Sequence, residues 1–298
     1  QGFSKVREAL IKDGFKVEKS LLLQSGEISG DTELLVIPGP EKPILLEEQK
    51  IIEDYIKRGG AMLFLVDPES KSEMEEFLKR WSIEIPDSYV IDPLSRLFGS
   101  DYTQPIVSQY IAHKITSDFV LPTIFPLVRA VKAIKIDGIT TVELIKTGPR
   151  SYGETDFSAL RDGQSELDDK NDINGPVPVA VISTLEISTE TTQEPGIASK
   201  KDPTVSAKSK KKANLVVIGD SDFASNQYFN FSGNSDFFLN TASFLAEEEN
   251  LVSIRPKERK SNPLSLNRSQ GMFILMLALF TPFFVIFIGA RTWWRRRR

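Results

Sequence analysis

Hydrophobic residues near the start of the chain fall into two kinds of pattern, short continuous runs and helical repeats. Residues 34–37 and 61–66 are uninterrupted apolar runs followed by Pro-Gly-Pro and Asp-Pro turns, as in strands that are buried on both faces. Residues 45–58 place apolar side chains at i,i+4 spacing, and residues 74–81 place them at i, i+3, i+4 and i+7. These spacings predict two amphipathic helices that alternate with the two buried strands.

Less regular patterns of the same two kinds extend through the rest of the chain. A helix is predicted at residues 3–13, and a strand at residues 17–23. Further strands are predicted at residues 89–91, 106–107, 131–136, 140–145, 177–182 and 215–218, and a further helix from Asn234 or Ser235 through Leu245. Residues 186–213 are rich in Ser, Thr, Pro and Lys and cannot bury a core, so we expect a long flexible loop there.

The alternation of buried strands with amphipathic helices predicts an α/β domain over residues 1–255. Short connections between such elements are typical of a parallel sheet with helices on both faces. We therefore expect a doubly wound, mostly parallel sheet of the flavodoxin or Rossmann type. The less regular middle of the chain predicts β-rich insertions in this domain.

Residues 271–290 form a stretch of twenty uncharged, mainly apolar residues. A helix of that length measures about 30 Å, which matches the hydrocarbon thickness of a membrane. Trp293 and Trp294 follow it at the position of the lipid headgroups. The sequence therefore predicts one C-terminal transmembrane helix, preceded by a basic stalk at residues 256–270 and followed by a basic tail at residues 291–298.

The charges beside this predicted span favour one orientation. Five basic residues precede it between positions 255 and 268, and five arginines lie in the tail. The tail holds its charges closer to the span, so the positive-inside rule favours a cytoplasmic tail and an extracytoplasmic domain. We expect the protein in the inner (cytoplasmic) membrane, with its soluble domain in the periplasm.

The overall composition excludes several classes of function. The formal net charge is −4, and setting aside the five arginines of the tail leaves −9. Nucleic-acid-binding domains present a basic surface, so we expect the soluble part to bind no nucleic acid. The chain has no cysteine, which excludes disulfides, thiolate metal sites and cysteine nucleophiles.

The predicted strand ends carry the candidate site residues. Open parallel sheets place ligands at the carboxyl ends of their strands, and here those ends hold Gly39, Asp67 and, in a Gly-Asp-Ser-Asp turn, Asp220 and Asp222. If the strands are neighbours, the three carboxylates converge at one edge and offer oxygen ligands to a small ligand or Mg²⁺. The alternative is that these aspartates cap the helices and loops that follow the strands.

No catalytic motif accompanies these aspartates. Ser221 lies in a Gly-Asp-Ser sequence like the nucleophile block of GDS-type esterases, but the single histidine, His113, lies about a hundred residues upstream. The sequence contains no Walker A motif, no G-x-G-x-x-G after a strand and no histidine-based metal cluster. We therefore expect no enzymatic activity and no cofactor.

Several segments in a fixed order resemble one family. They are residues 35–40, 59–68, 113–116, 125–129, 216–223 with Asn226, 244–249 and 254–257, together with the terminal apolar stretch. No single segment is specific, but their joint order makes the chain similar to the GldG-like auxiliary proteins of ABC transporters, first associated with gliding motility. The soluble part of that family is related to the GIFT domain. The resemblance covers essentially the whole chain.

This resemblance has implications for function and partners. It implies an extracytoplasmic domain without a catalytic triad, acting beside an ABC-2-type permease and a separate ATPase subunit. It also implies that the chain is the C-terminal part of a longer protein. Our candidate residues for binding a ligand or partner are Gly39, Asp67, Asp220, Asp222 and Asn226.

Three functional hypotheses follow. The first is a non-catalytic, membrane-anchored auxiliary subunit of an ABC-2-type export system, whose domain binds partner subunits or cargo. The second is a stand-alone extracytoplasmic sensor that binds a ligand or glycan through the strand-end carboxylates. The third is a metal-dependent hydrolase that uses Asp67, Asp220 and Asp222.

Overall fold

The structure, a computed structural model, describes residues 2–117, 119–163, 165–188, 210–250, 276, 291 and 293–296. The chain divides into two compact units, Gln1–Ser253 and Ile254–Arg298. The candidate site belongs to the first unit, which contains all the strands described below.

The first unit contains helices and strands along its whole length. The helices are α1 (Ser4–Lys12), α2 (Leu22–Ser25), α3 (Leu46–Lys57), α4 (Glu75–Arg80), α5 (Phe157–Arg161) and α6 (Asn234–Asn250), with 3₁₀ helices at Pro93–Phe98 and Asp222–Ala224. The strands are β1 (Leu34–Pro38), β2 (Ala61–Leu65), β3 (Ile83–Glu84), β4 (Tyr89–Ile91), β5 (Ile106–Val107), β6 (Gln109–Tyr110), β7 (Thr123–Ile124), β8 (Lys132–Ala133), β9 (Ile139–Lys146), β10 (Tyr152–Glu154), β11 (Ile173–Asn174), β12 (Pro178–Ser188) and β13 (Lys210–Ile218).

Local sequence explains where the longer helices begin and end. The side chain of Glu48 accepts a hydrogen bond at 3.0 Å from the amide of Leu45, which satisfies a free donor at the start of α3. Gly59 follows the same helix with φ of +92°, a conformation that glycine adopts without steric cost. The predicted helices at residues 3–13, 45–58 and 74–81 are confirmed as α1, α3 and α4.

Six strands form the main sheet in the order β1-β2-β13-β12-β9-β6. β2 pairs in parallel with both β1 and β13, whereas β12 pairs antiparallel with β13 and with β9, and β6 pairs antiparallel with β9. Three small sheets complete the unit: β11-β10-β4, β3-β8 and β5-β7. The α/β character and the β-rich middle of the chain are as predicted.

The main sheet is mixed, so the prediction of a mostly parallel sheet is wrong. β12 and β13 pair antiparallel over nine positions, from Ala180 with Ile218 to Ser188 with Lys210. A continuous apolar run indicates that both faces of a strand are buried, but it does not indicate whether the strand runs parallel or antiparallel to its neighbours. That direction depends on the connection, which is the helix α3 between the parallel strands β1 and β2.

Two hydrophobic clusters cover the two faces of the main sheet. In cluster 1, side chains of α1 and α6 pack on alternate strand residues such as Leu63 and Val216. In cluster 2, side chains of α3 and α4 pack on the intervening residues, such as Phe64 and Val217. All five side chains of β2 are buried, because this strand lies between two neighbours and under both layers. Burial on both faces explains its uninterrupted apolar sequence.

Three predictions of local structure are wrong in part or in full. Residues 17–23 are not a strand; the helical turn α2 begins at Leu22. Of the predicted strand at residues 131–136, only β8 forms. Residues 186–188 and 210–213, assigned to a flexible loop, are the paired ends of β12 and β13, and residues 189–209 lie outside the described residues. Cross-strand pairing there outweighs the polar composition of the segment.

The C-terminal part of the predicted fold class needs correction. No helix in the part of the chain that the structure describes is both long and apolar enough to cross a membrane. Apart from Met276, residues 271–290 lie outside the described residues, as does the predicted stalk at residues 256–270; in the tail, residues 293–296 are helical. The predicted transmembrane helix is therefore not supported. The stretch at residues 271–290 has the length and hydropathy of a membrane span, but these two properties do not by themselves establish a spanning helix.

Candidate functional site at the carboxyl ends of the parallel strands

The carboxyl ends of β1, β2 and β13 lie side by side. The amide of Gly39 donates to the carbonyl of Leu65 at 2.9 Å, and the amide of Val66 donates to the carbonyl of Ile218 at 2.9 Å. The parallel ladder therefore continues one residue beyond β1 and one residue beyond β2. The turns that contain Asp67 and Asp220 begin at this point, so the predicted strand-end residues face one common edge.

Asp67 and Ser221 connect two of these turns directly. The hydroxyl of Ser221 donates to Oδ2 of Asp67 at 2.7 Å, and the backbone amide of Ser221 donates to Oδ1 of the same carboxylate. Both carboxylate oxygens thus accept hydrogen bonds from one residue of the neighbouring turn. This arrangement ties β2 to β13, and it uses the hydroxyl that a serine nucleophile would need.

Gly39 approaches this pair closely. Its φ is +54°, and a Cβ atom at this position would lie 2.9 Å from Cβ of Ser221 and 3.1 Å from Oδ2 of Asp67. Only glycine combines this backbone conformation with the space available. The sequence placed Gly39 in the site as part of a Pro-Gly-Pro turn, and the structure explains the residue by close packing of three strand ends.

Asp220 is completely buried at the same edge. Its Oδ1 accepts a hydrogen bond at 2.7 Å from the amide of Asp222, whereas Oδ2 has no hydrogen-bond partner among the described residues. Burial, followed by the charges of Asp67 and Asp222, raises the pKa of Asp220 well above its ordinary value. A carboxyl group in this environment favours its neutral form.

The last two candidate residues have different positions. Asp222 is half-buried and begins the short 3₁₀ helix after β13. Oδ1 of Asn226 accepts hydrogen bonds from the amide of Lys5 at 2.9 Å and the hydroxyl of Ser4 at 3.1 Å. Asn226 therefore satisfies free donors at the start of α1, and its amide oxygen is occupied by that helix.

Arg129 is a buried residue of this region that sequence reasoning did not assign to the site. Its guanidinium is 1% exposed and donates to the carbonyls of Asp67 at 3.2 Å and Ile85 at 2.6 Å. It also lies 3.4 Å from the carboxylate of Asp87. The sequence signal was an arginine between apolar neighbours, which is typical of a guanidinium held by several buried acceptors.

The chemistry available at this edge is limited. Among the described residues, no group of three or more His, Asp and Glu side chains has the arrangement of a metal site, so Asp67, Asp220 and Asp222 do not form one. Nδ1 of His113 accepts from the amide of Ile115 at 3.2 Å, and its ring packs edge-on against Phe244. The hydroxyl of Ser221 is bonded to Asp67 instead. The geometry fits the capping and turn-stabilising alternative for these aspartates better than a catalytic one.

The fold and its strand ends define a mixed α/β domain with an internally bonded carboxyl edge. The N-terminal domain of mmIFT52 has a similar fold, with a TM-score of 0.55 and 14% identity over 82% of this chain and 91% of that one. At this identity the likeness shows a shared fold alone. A putative ThuA-like protein from Bacteroides uniformis (TM-score 0.43, 10% identity, 81% of each chain) and the cytoplasmic protein STM3548 from Salmonella typhimurium (TM-score 0.44, 11% identity, 82% and 87%) align less well.

The family of the chain is defined by sequence. Residues 3–241 match the family described as "ABC-type uncharacterized transport system". This match covers most of the chain, and the protein therefore belongs to this family of ABC transporter auxiliary proteins and has a transport-associated role. No curated protein matches the chain. The resemblance to ABC transporter auxiliary proteins that the sequence suggested is confirmed.

Proposed function

We propose that this protein is a non-catalytic auxiliary subunit of an ABC-2-type export system, and that its α/β domain binds partner subunits or cargo on the extracytoplasmic face of the cytoplasmic membrane. Membership in a family of ABC transporter auxiliary proteins supports the association with a transporter. The resemblance to GldG-like proteins supports the extracytoplasmic location.

The observation that carries the non-catalytic part of this proposal is the closure of the strand ends. In open α/β sheets this edge holds the ligand or substrate, and here the polar groups of Asp67, Ser221 and Asp220 are bonded to one another or buried. Asp67 accepts from Ser221, Asp220 has no exposed surface, and Gly39 packs against both neighbouring turns. An edge bonded in this way favours a structural role for the domain, in which its outer surfaces bind partners.

ATP hydrolysis belongs to another chain in this proposal. Nucleotide-hydrolysing subunits hold phosphates in a glycine-rich loop followed by Lys and Ser or Thr, and this sequence contains no such motif. The turns after β1, β2 and β13 instead contain proline and aspartate. The protein would contribute binding surfaces, while a permease and an ATPase subunit supply the channel and the energy.

Co-purification tests this function most directly. The full-length protein, tagged and expressed at its native level, is purified in mild detergent, and the eluted proteins are identified by mass spectrometry. We expect an ABC-2-type permease and an ATP-binding subunit in the eluate. An unrelated membrane protein of similar abundance with the same tag serves as the control and should recover neither subunit.

Elution of the protein alone would contradict the auxiliary function. The stand-alone sensor would then be the better hypothesis, and the test would move to ligand binding at the strand ends. In that case Asp67→Asn should lower ligand affinity, because it removes a carboxylate at the edge where open sheets bind ligands. Glu47→Gln, in the first turn of α3, is the matched control and should leave affinity unchanged.

A further inference from the structure

β1 lies at one end of the main sheet and pairs on one side only. Its partner is β2, and no other strand among the described residues pairs with it. The amide of Gly39 donates to Leu65, so residues 35, 37 and 39 direct their backbone groups toward β2. The alternation of a strand then turns the backbone groups of residues 34, 36 and 38 outward. Since Pro38 has no N–H, the outward donors are the amides of Leu34 and Val36.

The side chains of β1 are apolar on both faces. Leu34 and Val36 pack against cluster 1, and Leu35 and Ile37 pack against cluster 2. All four are only half-buried, whereas the whole of β2 is buried. Natural edge strands are usually protected by charged side chains, bulges or internal prolines. β1 has none of these before its last residue, and its sequence is typical of an interior strand.

The layers on both faces continue around this strand. α1 packs on cluster 1 through Val6 and Leu10, and Phe15 and Val17 follow it onto the same cluster. Leu22 of α2 packs on cluster 2. β1 therefore shares the two apolar layers of the sheet with these residues, and its outward backbone groups pair with no other strand among the described residues. A single extended segment, about 4.8 Å from β1, fits this arrangement.

We propose that the outer edge of β1 binds an extended, uncharged apolar segment of a partner transporter subunit, which adds one strand to the main sheet. The proposal rests on the proposed function, because it assigns the partner to the transporter. Adding a strand to a sheet edge is a common mode of peptide recognition, in which backbone hydrogen bonds provide affinity and alternate side chains provide specificity.

The charge and the surroundings of β1 determine the chemistry of this segment. β1 has no charged residue, so a charge that faces its side chains would lose its water without gaining a partner within this strand. The segment should therefore be uncharged over about five residues, the length of β1.

Hydrogen exchange at single-residue resolution tests the proposal. The backbone amides of β1 are compared in the isolated full chain and in the detergent-purified complex with permease and ATP-binding subunits. In the isolated chain, Leu34 and Val36 should exchange faster than Leu35 and Ile37, which face β2. In the complex, the exchange of Leu34 and Val36 should slow by about tenfold or more, because paired amides are protected until the structure opens locally.

A pair of variants at one position separates edge pairing from side-chain packing. Val36→Pro removes the outward donor and leaves the bonds to β2, whereas Val36→Thr keeps the donor and a similar shape. Val36→Pro should lower the affinity for partner subunits up to about tenfold, because it removes one backbone hydrogen bond, and Val36→Thr should retain it. Circular dichroism and thermal unfolding of both variants establish that each is folded.

The outcomes distinguish this proposal from the proposed function. A complex that forms while Leu34 and Val36 stay unprotected would overturn the edge proposal and leave the auxiliary function standing. If no transporter subunit binds the wild-type protein, both proposals fail. Protection of Leu34 and Val36 already present in an isolated monomer would indicate that a segment of the same polypeptide pairs with β1. Protection that rises with protein concentration would indicate a second copy of the chain. Either result would overturn the proposal that a segment of a transporter subunit binds this edge.

Discussion

At the residue scale, the strand ends depend on a carboxyl group that is buried without a full set of hydrogen bonds. Asp220 has a raised pKa because burial, and then the charges of Asp67 and Asp222, disfavour its ionised form. The unfolded chain ionises this group near pH 4, and the folded protein does so only at a higher pH. The folded state therefore binds more protons between these two values.

This difference predicts a pH dependence of stability. The contribution of Asp220 is fully present below its unfolded pKa and is lost as the pH rises through its folded pKa. In the wild type, the free energy of unfolding should therefore decrease as the pH rises through the folded pKa of Asp220. Asp220→Asn cannot ionise, so its free energy of unfolding should decrease less over the same pH range. Urea unfolding of both proteins from pH 4 upward measures this difference.

Asp137→Asn, on an exposed turn, is the control and should follow the wild type. If the free energy of unfolding of Asp220→Asn has the same pH dependence as that of the wild type, the prediction is wrong.

The sequence predicted the positions of these residues in the fold, but it did not predict their hydrogen-bond partners. Gly39, Asp67 and Asp220 were placed at strand ends from apolar runs and turn sequences, and the structure places them at one edge. Their hydrogen-bond partners were not predictable, because Ser221 is more than 150 positions from Asp67. Whether they bind a ligand or partner stays a prediction.

At the scale of elements, Asn234 connects the start of α6 to β7 and to the segment between β13 and α6. It is fully buried, and its Oδ1 accepts from the amide of Ile124 at 2.8 Å. Its Nδ2, which carries two hydrogens, lies 3.0 to 3.1 Å from the carbonyl oxygens of Ile124, Phe223 and Tyr228, so these three acceptors share two donors. The residue lies at one of the two predicted starts of α6, and its side chain binds neighbouring segments of the chain.

Replacing Asn234 should therefore destabilise the domain strongly. Asn234→Ala leaves buried backbone groups without partners, which costs about 3 kcal/mol in the free energy of unfolding. Chemical unfolding of the purified protein measures this cost. Ser235→Ala, at the next and half-buried position, should change stability by less than about 0.5 kcal/mol. Equal effects of the two substitutions would show that the side-chain bonds of Asn234 contribute little.

Elements with long, regular patterns were predicted well, and short ones were not. α3 and β2 have apolar spacing over their whole length, and both formed as expected. Two-residue strands such as β3 and β8 exist only because they pair with each other. Their sequences are too short to show a period, so the small sheets needed the tertiary structure.

At the scale of the whole molecule, the proposed extracytoplasmic location can be measured because the chain lacks cysteine. Val120→Cys introduces one thiol at a position that is 83% exposed, within reach of a reagent in solution. We expect a membrane-impermeant maleimide to label this variant in intact spheroplasts, since the proposal puts the domain outside the cytoplasm. The labelled fraction is read by mass spectrometry.

Two controls define the result. Ile182→Cys, at a buried position of β12, should remain unlabelled until the protein is denatured. An exposed cysteine on a cytoplasmic protein should be labelled only after lysis. Labelling of Val120→Cys only after lysis would place the domain in the cytoplasm and remove this part of the proposed function.

The sequence alone determined the α/β class, the helices α1, α3 and α4, the apolar part of each longer strand, and the family. These depend on hydrophobic periodicity, turn residues and the order of short segments, all of which are local properties of the chain. Tertiary structure alone decided the antiparallel half of the sheet, the mutual bonding of Asp67 and Ser221, and the position of β1 at the end of the sheet, where one of its sides pairs with no described strand. Strand direction, side-chain partners and free edges depend on which distant segments meet, and local composition does not encode that.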